Sequence, residues 1–212
     1  MNRRAMTCLM RFFAGLLLPL ALLACSSEPP PLQGAKIGGP FTLVDKTGGE
    51  IRWSDFKGKY RIVYFGYTFC PDACPMDVQA MMLGFRSFEQ AHPELAKKVQ
   101  PLFISIDPER DTPQAVGEFA AAFHPRLIGL TGTPEQVAVA AKAFAAYYAK
   151  GEESAGGYLM DHSRVTYLMG PEGEPIAILP VDQGPEAVAA ELEKWVKELR
   201  DEAYVDLRLT QS

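Results

Sequence analysis

Cys70 and Cys74 stand with three residues between them in the run Tyr64-Phe65-Gly66-Tyr67-Thr68-Phe69-Cys70-Pro71-Asp72-Ala73-Cys74-Pro75-Met76. A redox dithiol usually has two residues between its cysteines, and a sulfur-rich zinc site needs three or four thiolates. If the turn between these two is helical, their Cβ atoms lie ~5–6 Å apart. A disulfide wants ~3.5–4.5 Å. The pair can therefore oxidise only with local distortion, whereas two thiolates at that spacing sit comfortably around one soft ion such as Cu(I). A helix start favours thiolate over thiol, so both sulfurs are expected to be reactive. Redox exchange and metal ligation both remain open on these residues alone.

Two sulfurs usually need a third ligand, and imidazole is the natural one. Of the three histidines, His92 and His124 each precede a proline and read as solvated loop residues. His162, in Tyr158-Leu159-Met160-Asp161-His162-Ser163, lies between a glycine-rich loop and a strand. It is either a ligand or a buried, hydrogen-bonded histidine. Asp107 ends an apolar strand and either accepts hydrogen bonds beside the site or makes turn chemistry with Pro108. Asp161 either orients His162, as carboxylates behind metal-bound histidines do, or is a loop residue. Met76 is close enough in sequence to offer a thioether but serves equally well in helix packing. Glu109, Arg110 and Asp111 read as a solvated, paired turn.

The elements that must position these groups alternate. Phe41–Val44 and Glu50–Trp53 flank a turn-rich stretch and suggest a hairpin. Arg61–Phe69 is a β-rich apolar run, and Val78, Met81, Met82, Phe85 and Phe88 then recur at helical spacing. Val99–Ile106 reads as a strand, Pro113–Phe123 as a helix and Leu127–Leu130 as a strand. A longer helix is expected from Pro134 to about Tyr148, then a loop over Gly151–Gly157. A hairpin over Arg164–Met169 and Pro175–Leu179 and a last helix from Pro185 complete the order. This implies an α/β protein, a central mixed sheet flanked by helices with N-terminal and inserted hairpins. A thiol pair after the first central strand is the layout of a thioredoxin-like fold.

The N-terminus differs from the rest. Arg3, Arg4 and Arg11 precede an apolar run from Phe12 to Leu23, which closes as Leu22-Leu23-Ala24-Cys25. This is a signal-peptide pattern ending like a bacterial lipobox, with Cys25 as the lipid-bearing residue. A plain signal anchor, or ordinary cleavage with a free Cys25, is the alternative. The expected organisation is a signal peptide over 1–24, a lipidated tether over 25–39, a thioredoxin-like domain over 40–205 and a tail over 206–212. The 212-residue chain has a net charge of −5. Loss of residues 1–24 removes three arginines and no acid, taking the charge to −8. That balance, with a pI near 5.3, excludes a sequence-independent nucleic-acid binder.

Four separated motifs, Tyr64–Pro75, Phe103–Thr112, Leu130-Thr131-Gly132 and Asp161-His162-Ser163, together resemble the Sco/SenC family of copper-handling assembly factors of cytochrome c oxidase. The resemblance covers roughly residues 35–185 and implies a thioredoxin-like fold. It also implies copper ligation by Cys70, Cys74 and His162, as Cu(I) with Cu(II) a second state. Its implied partners are the CuA-bearing oxidase subunit and either another periplasmic copper carrier or a thiol reductant. The place implied is the bacterial cell envelope, lipid-anchored and facing the periplasm or exterior. Leu159-Met160 stands where many relatives carry a β-branched residue, and a lipobox where many carry a transmembrane anchor. Thioredoxins place a cis-proline opposite their cysteines; His162-Ser163-Arg164 has none, so an imidazole is expected there. A thiol–disulfide oxidoreductase acting through Cys70 and Cys74 is the competing function.

Overall fold

The structure is a computed structural model and describes residues 28–153 and 157–197. The expected signal peptide, Cys25 and the end of the chain lie outside these residues. Strands β1 (Thr42–Val44) and β2 (Glu50–Arg52) form the N-terminal hairpin, followed by a short 3-10 turn over Trp53–Phe56. Strand β3 (Tyr60–Gly66) is buried at every position, as a central strand covered on both faces must be. Helix α1 (Ala73–Ala91) follows, then the short α2 (Pro93–Ala96) and β4 (Val99–Ser105).

Helix α3 (Pro113–Phe123) starts on Thr112, whose hydroxyl accepts from the Ala115 N–H; strand β5 (Ile128–Leu130) follows. Helix α4 (Pro134–Ala143) starts with a capping box between Thr133 and Gln136. Strands β6 (Tyr148–Lys150) and β7 (Met160–His162) pair antiparallel. Strands β8 (Thr166–Met169) and β9 (Pro175–Ile178) form the next hairpin, and α5 (Pro185–Trp195) packs on α1.

The main sheet has the order β5-β4-β3-β8-β9, with β3 parallel to β4 and antiparallel to β8. This is the mixed sheet expected of the thioredoxin-like fold. At the carboxyl end of β3 the chain turns into the cysteine loop. At its amino end, Arg61 lies opposite Met169, beside the β8–β9 turn.

The structure corrects one element. The helix expected to run to about Tyr148 stops at Ala143, and Ala145 takes a left-handed backbone with φ of 50°. Phe144 is buried among Phe41, Trp53, Phe65 and Tyr167 and anchors the turn. The Ala-rich stretch has helix propensity, but Tyr148–Lys150 gains more by pairing with β7. Within the stretch expected to be a tether, residues 28–39 lie against the fold. The Leu32 N–H donates to Ile176 O, the Gly38 N–H donates to Ala143 O, and Leu32 and Ile37 pack on the core.

The contact of α1 with α5 depends on Gly84. A Cβ there would lie 2.6 Å from Val188 Cβ and 2.7 Å from Pro185 O. Gly84→Ala is expected to lower the unfolding free energy by about 1–3 kcal/mol through overpacking, despite the better helix propensity of alanine. Urea denaturation checks this; a stabilised variant would show that the helices separate freely.

Candidate metal centre

The three expected ligands converge. Cys70 Sγ, Cys74 Sγ and a ring nitrogen of His162 all lie within 4.8 Å of one another. Cys74 sits in the first turn of α1 and is fully buried. Its sulfur reaches the end of β3 because Gly66 has no side chain: a Cβ there would lie 3.1 Å from Cys74 Sγ. Cys70 is half-buried in the loop before Asp72, the N-cap of α1, so it lies outside the helix. The pair is therefore not two helical neighbours. A hydrogen bond from the Cys74 N–H to Cys70 Sγ, 3.2 Å long, brings the sulfurs together instead. No disulfide joins them.

His162 ends β7, so the third donor is carried by a hairpin and not by a free loop. Its Nδ1 lies 3.1 Å from Ser163 O, and a carbonyl can only accept, so Nδ1 carries the proton. Burial depresses the pKa of the ring and keeps it neutral. The lone pair of Nε2 then faces Cys74 Sγ at 3.3 Å. Tyr64 and Tyr67 hold the ring edge-on from two sides. In the metal-free state, the Cys74 thiol donates its hydrogen to the nitrogen that a metal would occupy.

The sulfurs are not alike, which corrects the expectation that the helix start activates both. Burial pushes the Cys74 thiol up to about 12. Burial acts the same way on Cys70, but the amide hydrogens of Asp72 and Cys74 and the hydroxyl of Tyr67 together bring it below the ordinary thiol value. Soft sulfur and imidazole donors, one buried and two at the rim, fit a thiophilic metal ion.

The carboxylates take other roles. Asp107 is buried and binds Arg110 Nε at 2.6 Å and the Tyr158 hydroxyl at 2.8 Å. It touches no ligand, but it ties the turn after β4 to the loop that leads into β7. Asp161 is exposed on β7, where successive side chains alternate faces, and Ser163, not Asp161, orients the imidazole. Met76 is 64% exposed and packs in no helix interface.

Two buried carboxylates that composition alone did not single out support the site. Asp77, one turn after Cys74, accepts from Tyr64 Oη and from Nε and Nη2 of Arg164. Asp111, expected in a solvated turn, is buried and accepts from the Thr68 N–H and hydroxyl and from Ser105 Oγ. It pins the cysteine loop to the end of β4. The helical spacing of Asp77 from Cys74 was the available signal; for Asp111 there was none. His124 corrects another expectation. It is buried against Phe85 with Glu89 at 3.5 Å, well away from the cysteines.

Comparison with known proteins gives one consistent result. The sequence model of the SCO1/SenC family matches residues 29–197. The SenC protein of Rhodobacter capsulatus is 43% identical over 156 residues, covering 73% of this chain and 68% of that one. The mitochondrial SCO1 homolog 1 of Arabidopsis thaliana is 44% identical over 145 residues, or 68% of this chain, which spans only 42% of that relative. Among solved structures, the copper-bound ScoI of Arabidopsis thaliana matches with a TM-score of 0.70 at 39% identity, covering 74% of this chain and 96% of that one. The copper-bound ScoI of Bradyrhizobium japonicum matches with a TM-score of 0.68 at 36% identity, covering 75% and 99%. Cys70, Cys74 and His162 thus form a potential copper site.

The unequal sulfurs make a measurable difference. A lowered pKa keeps the thiolate to lower pH. In the reduced, metal-free protein, iodoacetamide is expected to alkylate Cys70 with a half-maximal rate below pH 9.0. Cys74 is expected to resist until the pH nears about 12. Peptide mass spectrometry across pH reads both; equal rates at the two positions would contradict the asymmetry.

Proposed function

The chain belongs to the SCO1/SenC family, and from that premise we propose that it is a copper carrier of the bacterial cell envelope. It delivers its cargo to the CuA centre of cytochrome c oxidase and is tethered through a lipid on Cys25. The observation that carries this reading is the convergence of two sulfurs and one imidazole nitrogen within 4.8 Å on a rigid scaffold. Cu(I) is the preferred cargo of such a soft donor set, with Cu(II) a second state.

The residues divide the work. The Nδ1–H bond to Ser163 O holds the His162 tautomer that leaves Nε2 free for the ion. Cys74 gives up its proton when the ion arrives, and the buried thiolate is then stabilised only while the cation is beside it. Cys70, half-exposed and thiolate-prone, is the donor that an incoming thiolate of the CuA site displaces first. Stepwise exchange of thiolates then moves the ion without releasing it to water. Asp107, through Arg110 and Tyr158, keeps the histidine hairpin closed over the cysteine loop.

An apolar rim supports docking of a recipient at this end. Phe69, Met76, Tyr147 and Leu159 are 54–64% exposed, and each is a close sequence neighbour or hydrogen-bonded neighbour of a ligand segment. Exposed apolar groups collected around a reactive site mark an interaction surface.

A second reading is favoured by the sulfur asymmetry. As a thiol–disulfide reductase, the Cys70 thiolate attacks a disulfide in the recipient and releases one recipient thiolate. Cys74 gives its proton to the recipient thiolate just released and attacks the Cys70 sulfur, freeing the second recipient thiolate. The net result is a Cys70–Cys74 disulfide and two reduced recipient cysteines, ready for metal. A periplasmic thiol reductant then resets the pair.

Anaerobic Cu(I) titration of the reduced chain is expected to saturate at one ion. His162→Ala is expected to weaken binding by at least about tenfold, the lower end of what losing an outer partner costs. Unchanged stoichiometry, affinity and spectrum in that variant would sink the three-ligand site; unchanged reductase activity with lost copper binding would favour the second reading. Phe69→Ser is expected to keep its copper but slow transfer to a purified CuA domain by about fivefold, the effect of ~1 kcal/mol at an interface. Equal transfer rates would remove the rim from the docking step.

A further inference from the structure

The end of the molecule opposite the copper site holds an open pocket of about 510 Å³. It is lined by Gly38 to Thr42, by Arg52, Trp53 and Lys57 of the first hairpin and 3-10 turn, by Arg61 of β3, and by Glu172 and Gly173 of the β8–β9 turn. Arg61 is only 2% exposed. Its guanidinium lies 4.5 Å above the Trp53 ring, and Nη1 donates to the carbonyls of Gly170 and Pro171.

The remaining Arg61 donors are not used. Nε–H is buried without an acceptor, and Nη2 makes no hydrogen bond among the described residues. Among the described residues no carboxylate comes within ion-pair distance; Glu172 and Glu174 act on Arg61 only through space, and burial lowers its pKa. A buried cation without a counter-ion is a costly arrangement in a folded protein. Two more cations, Arg52 and Lys57, stand at the mouth against the single acid Glu172. Lys57 reaches Glu172 only at 3.7 Å, and Arg52 pairs outward with Glu50. The Trp53 indole N–H also lacks an acceptor among the described residues. A Cβ at Gly173 would sit 2.9 Å from that nitrogen, so the glycine leaves the indole uncovered.

We propose that this pocket is a binding site for a phosphate group, held by Arg61 with Arg52, Lys57 and the Trp53 N–H around it. A guanidinium fork with free donors matches a tetrahedral oxyanion, and the aromatic face below keeps the fork flat. The pocket's place suggests where the phosphate comes from. Glu28 is held by Lys194 at 3.0 Å, and the Lys197 N–H donates to Tyr60 Oη, so the chain enters the fold at the amino end of β3, where the pocket opens. If Cys25 carries the lipid, as proposed above, only two residues separate the anchor from Glu28. A phospholipid head group is then the phosphate at hand, and its capture would orient the copper site away from the membrane. The pocket's chemistry does not depend on that reading, and free phosphate is the other source.

The test uses the full chain with Trp195→Phe, which leaves Trp53 as the only tryptophan. Inorganic phosphate is expected to shift Trp53 emission saturably. The double variant Arg52→Gln, Lys57→Gln alters only exposed side chains and is expected to weaken the response by about fivefold. If inorganic phosphate is silent, phosphatidylglycerol vesicles shift the emission and phosphatidylcholine vesicles do not, the source is lipid. Arg61→Lys keeps a cation but loses the fork and is expected to abolish the response, with circular dichroism reporting its fold. Silence towards both probes, or a response that the double variant leaves untouched, overturns the proposal and leaves Arg61 a clamp on the β8–β9 turn. Copper titration in parallel is expected to be the same with and without phosphate, so failure here is separable from failure of the copper reading.

Discussion

The buried Asp77 carboxylate joins helix α1 to the segment entering β8, because Arg164 grips it through two nitrogens and Tyr64 donates to it from β3. Cys74 lies one turn before Asp77 and His162 two residues before Arg164. One ion pair therefore fixes the distance between ligands that are 88 residues apart in the chain. Arg164 is half-exposed, so the charge attraction itself is screened and modest. Its geometry matters more: a carboxylate saturated by three donors cannot shift without leaving one of them unpaired in the interior. Asp111 does the same for the other sulfur by holding Thr68, two residues before Cys70, against β4.

With its positions fixed this way, the site can afford electrical strain. Cys74 is placed where a thiolate is unfavourable, beside a neutral imidazole whose lone pair points at it. A cation relieves both conditions at once, since it stabilises the thiolate and takes the lone pair. Cys70 needs no such relief, because backbone amide hydrogens already favour its thiolate. The same inequality that grades the ligands for exchange also defines an attacking and a resolving sulfur. The proposed carrier and reductase chemistries thus draw on one arrangement, and only the presence of the ion would separate them.

Much of this was legible in the sequence where local rules govern. Pro113 and Pro134, each behind a threonine, mark helix starts that the structure reproduces, and the apolar run at β3 is the central strand. Cys70, Cys74 and His162 stood out because the chain holds only four cysteines and three histidines. What could not be read depended on tertiary contacts. The end of α4 is decided by Phe144 entering an aromatic cluster assembled from distant segments, not by the propensity of the alanines around it. His124 precedes a proline like a loop residue, yet it is buried on Phe85. Helix-start reasoning treated both sulfurs as one kind, because burial, which separates them, is not a property of spacing.

The sheet also explains why the two ends of the molecule can specialise. Strand β3 is paired on both sides and buried throughout, so it acts as a stiff strut. At one end it delivers the cysteine loop, where two sulfurs and the His162 lone pair face the place a cation would take. At the other it delivers Arg61, a buried cation with donors to spare. Opposite charge deficits at opposite ends of one strand cannot neutralise each other across the length of a seven-residue strand. Each end must be completed locally, and at the carboxyl end a metal ion on Cys70, Cys74 and His162 would do so.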